Sequence, residues 1–144
     1  GLPVVLADNK RSVQVLINLI SNAIKFTPVG GKITVKVSPA KGCVNFSVSD
    51  TGCGIAKADQ KKVFEKFVQI AAGEMHVGGT GLGLSIAKAL VHLQGGKLSL
   101  ESEVDRGATF SFTLPTYVPP AETQDIQPVK QKPVPWWKKL LGVK

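Results

Sequence analysis

The sequence predicts an α+β fold: a two-layer sandwich with one mixed, mostly antiparallel sheet and helices on a single face. Three observations predict it. The patterned segments run helix, two strands, helix, helix, two strands. The strands fall in adjacent pairs with short loops between them, as local hairpins do. Patterning then stops near Pro115. A doubly wound parallel sheet needs strict strand–helix alternation, which this order lacks.

After a turn-rich start from Gly1 to Asp8, a long helical pattern covers Asn9 to Phe26 and is broken by Thr27-Pro28-Val29-Gly30-Gly31. Successive helical residues turn by about 100°. That periodicity gathers Val13, Leu16, Ile17, Ile20 and Ile24 into an apolar stripe expected to pack on the sheet. Arg11, Asn18, Asn22 and Lys25 fall on the opposite side. Ile33-Val35-Val37 and Val44-Phe46-Val48 alternate as strands, joined by a loop through Pro39 and Gly42. Residues 57–67 suggest a short charged helix ending in aromatics. Glycines and polar residues from Gly73 to Gly83 form a loop, and Leu84 to Gln94 is helical with a stop at Gly95-Gly96. Leu98-Leu100 and Phe110-Phe112-Leu114 make the second hairpin, turning near Asp105-Arg106-Gly107.

With 144 residues, 43% of them hydrophobic, the chain can support one compact domain with a real core. The domain is placed at 1–116, and 117–144 reads as a flexible tail. Pro119, Pro120, Pro128, Pro133 and Pro135 punctuate that tail, whose polar, lysine-containing sequence buries too little to order itself. No apolar run reaches the roughly 20 residues of a membrane span, and no secretory leader opens the sequence. The chain therefore reads as cytoplasmic, and Cys43 and Cys53 as free thiols without metal-type spacing. The net charge of +8 suits an anionic ligand or surface without separating nucleotide from nucleic acid or membrane.

Three segments carry chemistry. Asn18 and Asn22 stand one helical turn apart, with Lys25 beside them. Asparagine is a poor interior helix former, so the pair needs a reason. An amide oxygen can ligate Mg²⁺ and an ammonium can hold phosphate; the same residues also suit a plain solvated face. Second, period two places Asp50 on the inward face with Val44, Phe46 and Val48, and a buried carboxylate requires partners. Gly52 and Gly54 in Asp50-Thr51-Gly52-Cys53-Gly54-Ile55 let backbone approach a ligand closely. Asp50 can accept from an exocyclic adenine amine, or be satisfied within a strand-end turn. Third, Gly78-Gly79-Thr80-Gly81-Leu82-Gly83-Leu84 runs into a helix, where free N–H groups favour phosphate. It is neither a P-loop nor a good dinucleotide fingerprint, and its length suits a lid.

Together these segments resemble the catalytic domain of two-component sensor histidine kinases, in the GHKL superfamily shared with gyrase, MutL and a heat-shock chaperone. Gln14 to Pro28 is similar to the family's asparagine box, and Asp50 to Ile55 to its first glycine box. Val63-Phe64-Glu65-Lys66-Phe67 resembles the phenylalanine box, Gly79 to Leu84 the second glycine box, and Gly107 to Pro115 the closing strand. The resemblance implies the Bergerat ATP-binding fold and ATP or ADP with Mg²⁺ as cofactors. It implies Asn22 as the Mg²⁺ ligand, with Asn18 and Lys25 beside the phosphates as the catalytic group. Phe26 would lie along the adenine and Asp50 would accept from its amino group. Gly52, Gly54, Ile55, Gly79, Thr80, Gly81, Leu82, Gly83 and Leu84 would complete the nucleotide contacts. Thr109 would support Asp50 or a water, and Phe64 and Phe67 would anchor the lid's hinge.

Where ATP-hydrolysing members of the superfamily have a water-activating glutamate, the resemblance places Asn18, which cannot take a proton. Slow hydrolysis is expected, with the γ-phosphate kept for a histidine. His76 and His92 lack the acceptor's context. The implied partners are a dimerising helical domain with that histidine, missing from this chain, and a downstream response regulator. By itself the chain is expected to be monomeric and not to autophosphorylate. A nucleotide-binding regulator without phosphotransfer is the alternative. Nucleic acid is not expected, since no basic–aromatic stacking face is evident in residues 1–116. Trp136-Trp137-Lys138-Lys139-Leu140-Leu141-Gly142-Val143 suits a peripheral membrane contact, a docking peptide or an inert end.

Overall fold

The computed structural model describes residues 1–69 and 79–119. His76 and the Trp136–Val143 segment lie outside the described residues. The elements in chain order are α1 (Asn9–Phe26), β1 (Ile33–Ala40), β2 (Cys43–Asp50), a 3₁₀ turn (Lys62–Phe64), α2 (Gly83–Leu93), β3 (Leu98–Ser102) and β4 (Ala108–Pro115). The sheet order is β1-β2-β4-β3, and among the described residues each pairing is antiparallel, so the expected mostly antiparallel sheet is found and is not mixed there.

Cross-strand register explains why one face is apolar. Val44, Phe46 and Val48 lie opposite Leu114, Phe112 and Phe110, while Asn45, Ser47 and Ser49 lie opposite Thr113, Ser111 and Thr109. Directly opposed residues share a face. One side of the sheet is therefore hydrocarbon and the other hydroxyl and amide. Phe46 stacks on Phe112 with ring centroids 4.8 Å apart. α1 rests over β2, α2 over β3 and β4, and the helices pack on one another. Leu19, Val15, Val48, Val91, Phe112 and Leu114 are fully buried between the layers.

The helix α1 corrects the expected stripe. Val15, Leu19 and Ala23 are buried, whereas Val13, Ile17 and Ile24 are 45%, 57% and 64% exposed. Leu16 and Ile20 sit at the margin, partly buried against the core. Apolar side chains cover roughly 200° of this helix's circumference, from Val15 round to Ile17, so periodicity alone did not choose the sector that faces the sheet. Asn18 and Asn22 consequently flank the buried sector instead of opposing it, and both are half-buried. On β1, Val35 and Val37, opposite Val48 and Phe46, remain 47% and 41% exposed.

Local chemistry ends each element where it should. Asp8 caps α1, its Oδ1 accepting from the Arg11 N–H at 3.0 Å. The Gln94 Oε1 accepts from the Asp8 N–H at 2.9 Å and the Ser12 hydroxyl at 3.1 Å, tying the end of α2 to the start of α1. At the α2 terminus Gly95 and Gly96 donate to His92 and Val91 carbonyls, the expected helix stop. Two further expectations are corrected. Residues 57–67 form turns and a three-residue 3₁₀ segment, not an α-helix, because Phe64 meets Phe110 edge-on at 6.3 Å and tertiary packing outweighs local charge patterning. The first hairpin turns tightly at Lys41-Gly42, with Pro39 still paired to Val44. The opening segment also does more than turn: Val5 bridges Thr116, and Leu6 N–H donates to the Pro115 carbonyl. Among the described residues no helix is long and apolar enough to cross a membrane.

Candidate functional site

Asp50 is buried at the end of β2, as the alternation predicted, with 9% exposure. Its Oδ1 accepts from the Gly52 N–H at 2.8 Å and the Ala108 N–H at 3.3 Å. Two backbone donors offset part of the cost of burying the carboxylate. Among the described residues, both hydrogen bonds to this carboxylate fall on Oδ1 and none on Oδ2.

The flank of α1 comes against the glycine loop. The Asn18 Nδ2 donates to the Gly83 carbonyl at 3.0 Å. A Cβ placed on Gly79 would meet the Lys25 Nζ at 2.8 Å, so the ammonium lies beside the loop's backbone. That Nζ also stands 5.2 Å from the Phe26 ring centroid, within cation–π range. Asn22 lies between Asn18 and Lys25 on the same flank, by helical spacing. The C-terminus of α1 abuts the first glycine box: a Cβ on Gly52 would overlap the Phe26 carbonyl oxygen. Asn18, Asn22, Lys25, Phe26, Gly52, Asp50, Gly79 and Gly83 are thus drawn together around the C-terminal half of α1.

The loop's described ends are pinned. Phe67 N–H donates to the Gly81 carbonyl at 3.0 Å, and the Gln69 amide donates to the Gly79 carbonyl. Phe67 itself is 74% exposed with a φ of 64°, an unusual conformation for a bulky residue and one imposed by this junction. Thr80 Oγ1 accepts from the Leu82 N–H at 3.4 Å, and Leu82 precedes the first turn of α2, with Leu84 packed against the core. Ile55 is likewise half-buried against the core.

Thr109 departs from the group. It lies on the hydroxyl-rich outer face, its Oγ1 sharing a hydrogen bond with the Ser49 hydroxyl at 2.5 Å. Among the described residues no hydrogen bond joins it to Asp50. Strand parity is the reason: the Ala108 N–H, one residue earlier, faces the carboxylate instead.

Sequence reasoning missed three contributors. Ser102 Oγ accepts from the Ile55 N–H at 2.8 Å and donates to the Gly107 carbonyl at 2.7 Å. Gln60 Nε2 donates to the Ile55 and Ser102 carbonyls at 3.0 and 2.8 Å. Gln69 holds the loop, as above. Ser102 had a signal: it continues the inward series Leu98, Leu100, just as Asp50 continues Phe46, Val48. Gln60 and Gln69 lie in segments without periodicity and had none.

Residues 7–118 match the family model described as histidine kinase-, DNA gyrase B- and HSP90-like ATPase. The circadian input-output histidine kinase CikA of Synechococcus elongatus is 43% identical over 128 residues, covering 88% of this chain and 16% of that protein. The sensor histidine kinase WalK of Bacillus subtilis is 43% identical over 111 residues, 75% of this chain and 18% of its own length. The chain therefore spans under a fifth of these curated relatives. Among solved structures, full-length ShkA in complex with AMPPNP superposes with a TM-score of 0.69 at 38% identity, covering 83% of this chain and 25% of that one. The nucleotide-free catalytic domain of histidine kinase ThkA gives 0.66 at 36% identity, over 76% of this chain and 70% of that one. With its antiparallel sheet, its paired helices and this converging set of residues, the chain belongs to the family of histidine kinase-, DNA gyrase B- and HSP90-like ATPases.

Proposed function

We propose that this chain binds ATP with Mg²⁺ and is the phosphoryl-donating domain of a protein-histidine kinase, passing the γ-phosphate to a histidine on a separate helical domain. The observation that carries this reading is the meeting of the α1 flank with the glycine loop, Asn18 to Gly83 and Lys25 to Gly79, beside a buried Asp50 with one oxygen to spare. In that reading Asp50 Oδ2 accepts from the adenine amino group and Phe26 lines the base. Lys25 offers its ammonium to the phosphates, and backbone N–H groups of the Gly79–Gly83 segment and the start of α2 add further donors.

Among the described residues no cluster of three or more His, Cys, Asp or Glu is placed to cage a metal. The half-buried Asn22 on the α1 flank offers an amide oxygen, and Mg²⁺, which keeps waters and phosphate oxygens as ligands, needs little more than that from the protein. When bound, the ion neutralises charge on the transferring phosphoryl group. Asn18 offers no proton acceptor at the position that could activate water, so the residues position the triphosphate rather than hydrolyse it. The similarity to CikA and WalK, named as histidine kinases, supports transfer to histidine. The acceptor domain and a response regulator are the partners this reading requires.

The test mixes the chain with γ-labelled ATP, Mg²⁺ and a separately made acceptor domain. Acid-labile, base-stable label on the acceptor is expected, and little label or free phosphate from the chain alone. Nucleotide binding without labelled acceptor would replace the kinase reading with that of a regulatory nucleotide-binding module.

A further inference from the structure

The β3–β4 turn, Glu103 to Gly107, is locked onto the first glycine box. Asp105 N–H donates to the Cys53 carbonyl at 2.8 Å, and Ser102 and Gln60 grip both the N–H and the carbonyl of Ile55. The fit is close on both sides. Gly54 has a φ of 68°, and a Cβ there would overlap the Glu103 carbonyl oxygen; Gly107 has a φ of 83°, and a Cβ there would overlap the Asp50 carbonyl oxygen. Only glycine satisfies either position.

The hydroxyl of Ser102 stands at the centre of this clasp. It accepts from one wall, the Ile55 N–H, and donates to the other, the Gly107 carbonyl. The next N–H along, that of Ala108, holds the Oδ1 of Asp50. A single side-chain oxygen thus joins the two backbone segments that fix Ile55 and the carboxylate. Gln60 completes the arrangement by donating both amide hydrogens, one to each segment.

We infer that Ser102, assisted by Gln60, is a positioning residue for recognition of the nucleotide base, acting through Ile55 and Asp50 without touching the ligand. This rests on the ATP-binding reading above and goes beyond it by naming what sets base selectivity. Adenine presents a donor to Asp50 where guanine presents a carbonyl oxygen, so selectivity depends on how firmly that carboxylate is held. A side chain at 102 must both donate and accept. Threonine can do so and alanine cannot.

The experiment measures ATP–Mg²⁺ and GTP–Mg²⁺ binding to the whole chain by calorimetry. Ser102→Ala is expected to weaken ATP by about tenfold, the size of one lost hydrogen-bond contribution, and to narrow the ATP-over-GTP preference. Gln60→Glu, nearly isosteric but without the donors, is expected to narrow it too, and Ser102→Thr to retain it. If the folded Ser102→Ala and Gln60→Glu variants keep the unmodified chain's preference, or lose both nucleotides by one common factor, the positioning role is overturned. If the unmodified chain binds neither nucleotide, the ATP-binding reading falls first and this inference with it.

Discussion

Asp50 shows how one residue can be read from pattern alone. A carboxylate that continues an inward apolar series is costly unless something donates to it, and the structure supplies two N–H donors on one oxygen. The spare oxygen makes a sharp prediction. Asp50→Ala should abolish detectable ATP binding in calorimetry while unfolding within about 2 kcal/mol of the unmodified chain, since the site, not the core, is altered. Unchanged ATP affinity would remove Asp50 from the base contact. Ser102 follows the same pattern at the end of β3, yet a hydroxyl is cheaper to bury than a charge, so the sequence raised no alarm there. Thr109 shows the opposite difficulty. Family resemblance pointed to its chemistry, but strand parity turned it to the outer face, against Ser49.

At the scale of elements, α1 carries both the core and the site, and the two compete for its circumference. Leu19 and Ile17 are two positions apart, and periodicity placed Ile17 in the packing stripe without Leu19, but Leu19 is fully buried and Ile17 57% exposed. Leu19→Ala should cost about 2–5 kcal/mol in denaturant unfolding, and Ile17→Lys should stay within about 0.5 kcal/mol. Equal losses at the two positions would show that the buried sector had been misassigned. The hairpins were legible because period two and turn chemistry agree over short stretches. The 57–67 segment was not, because its shape depends on Phe64 finding Phe110 from a distant strand.

At the scale of the whole molecule, the opening segment pairs with the residues that follow β4. Val5 bridges Thr116, Tyr117 N–H donates to the Val4 carbonyl, and Thr116 N–H donates to the Gly42 carbonyl. That closure is consistent with a folded unit ending near Thr116, which we propose as the domain limit. A chain ending at Pro119 should then melt within about 3 °C of the full chain and bind ATP equally well, as thermal scanning and calorimetry would read. A drop of more than about 8 °C would place part of residues 120–144 in the fold.

By itself the sequence determined α1, the two hairpins and α2 in their order, the inward aspartate, the paired asparagines and the glycine-rich segment, because these depend on local period and on residue types few other roles require. Only the tertiary structure decided which part of α1 meets the sheet, that Thr109 faces away, and that Ser102 and Gln60 bind the β3–β4 turn to the glycine box. The choices at Thr109, Ser102 and Gln60 turn on partners some 40 or more positions away, Ser49, Ile55 and Ser102, and hydrogen bonds across that separation exist only once the layers have packed.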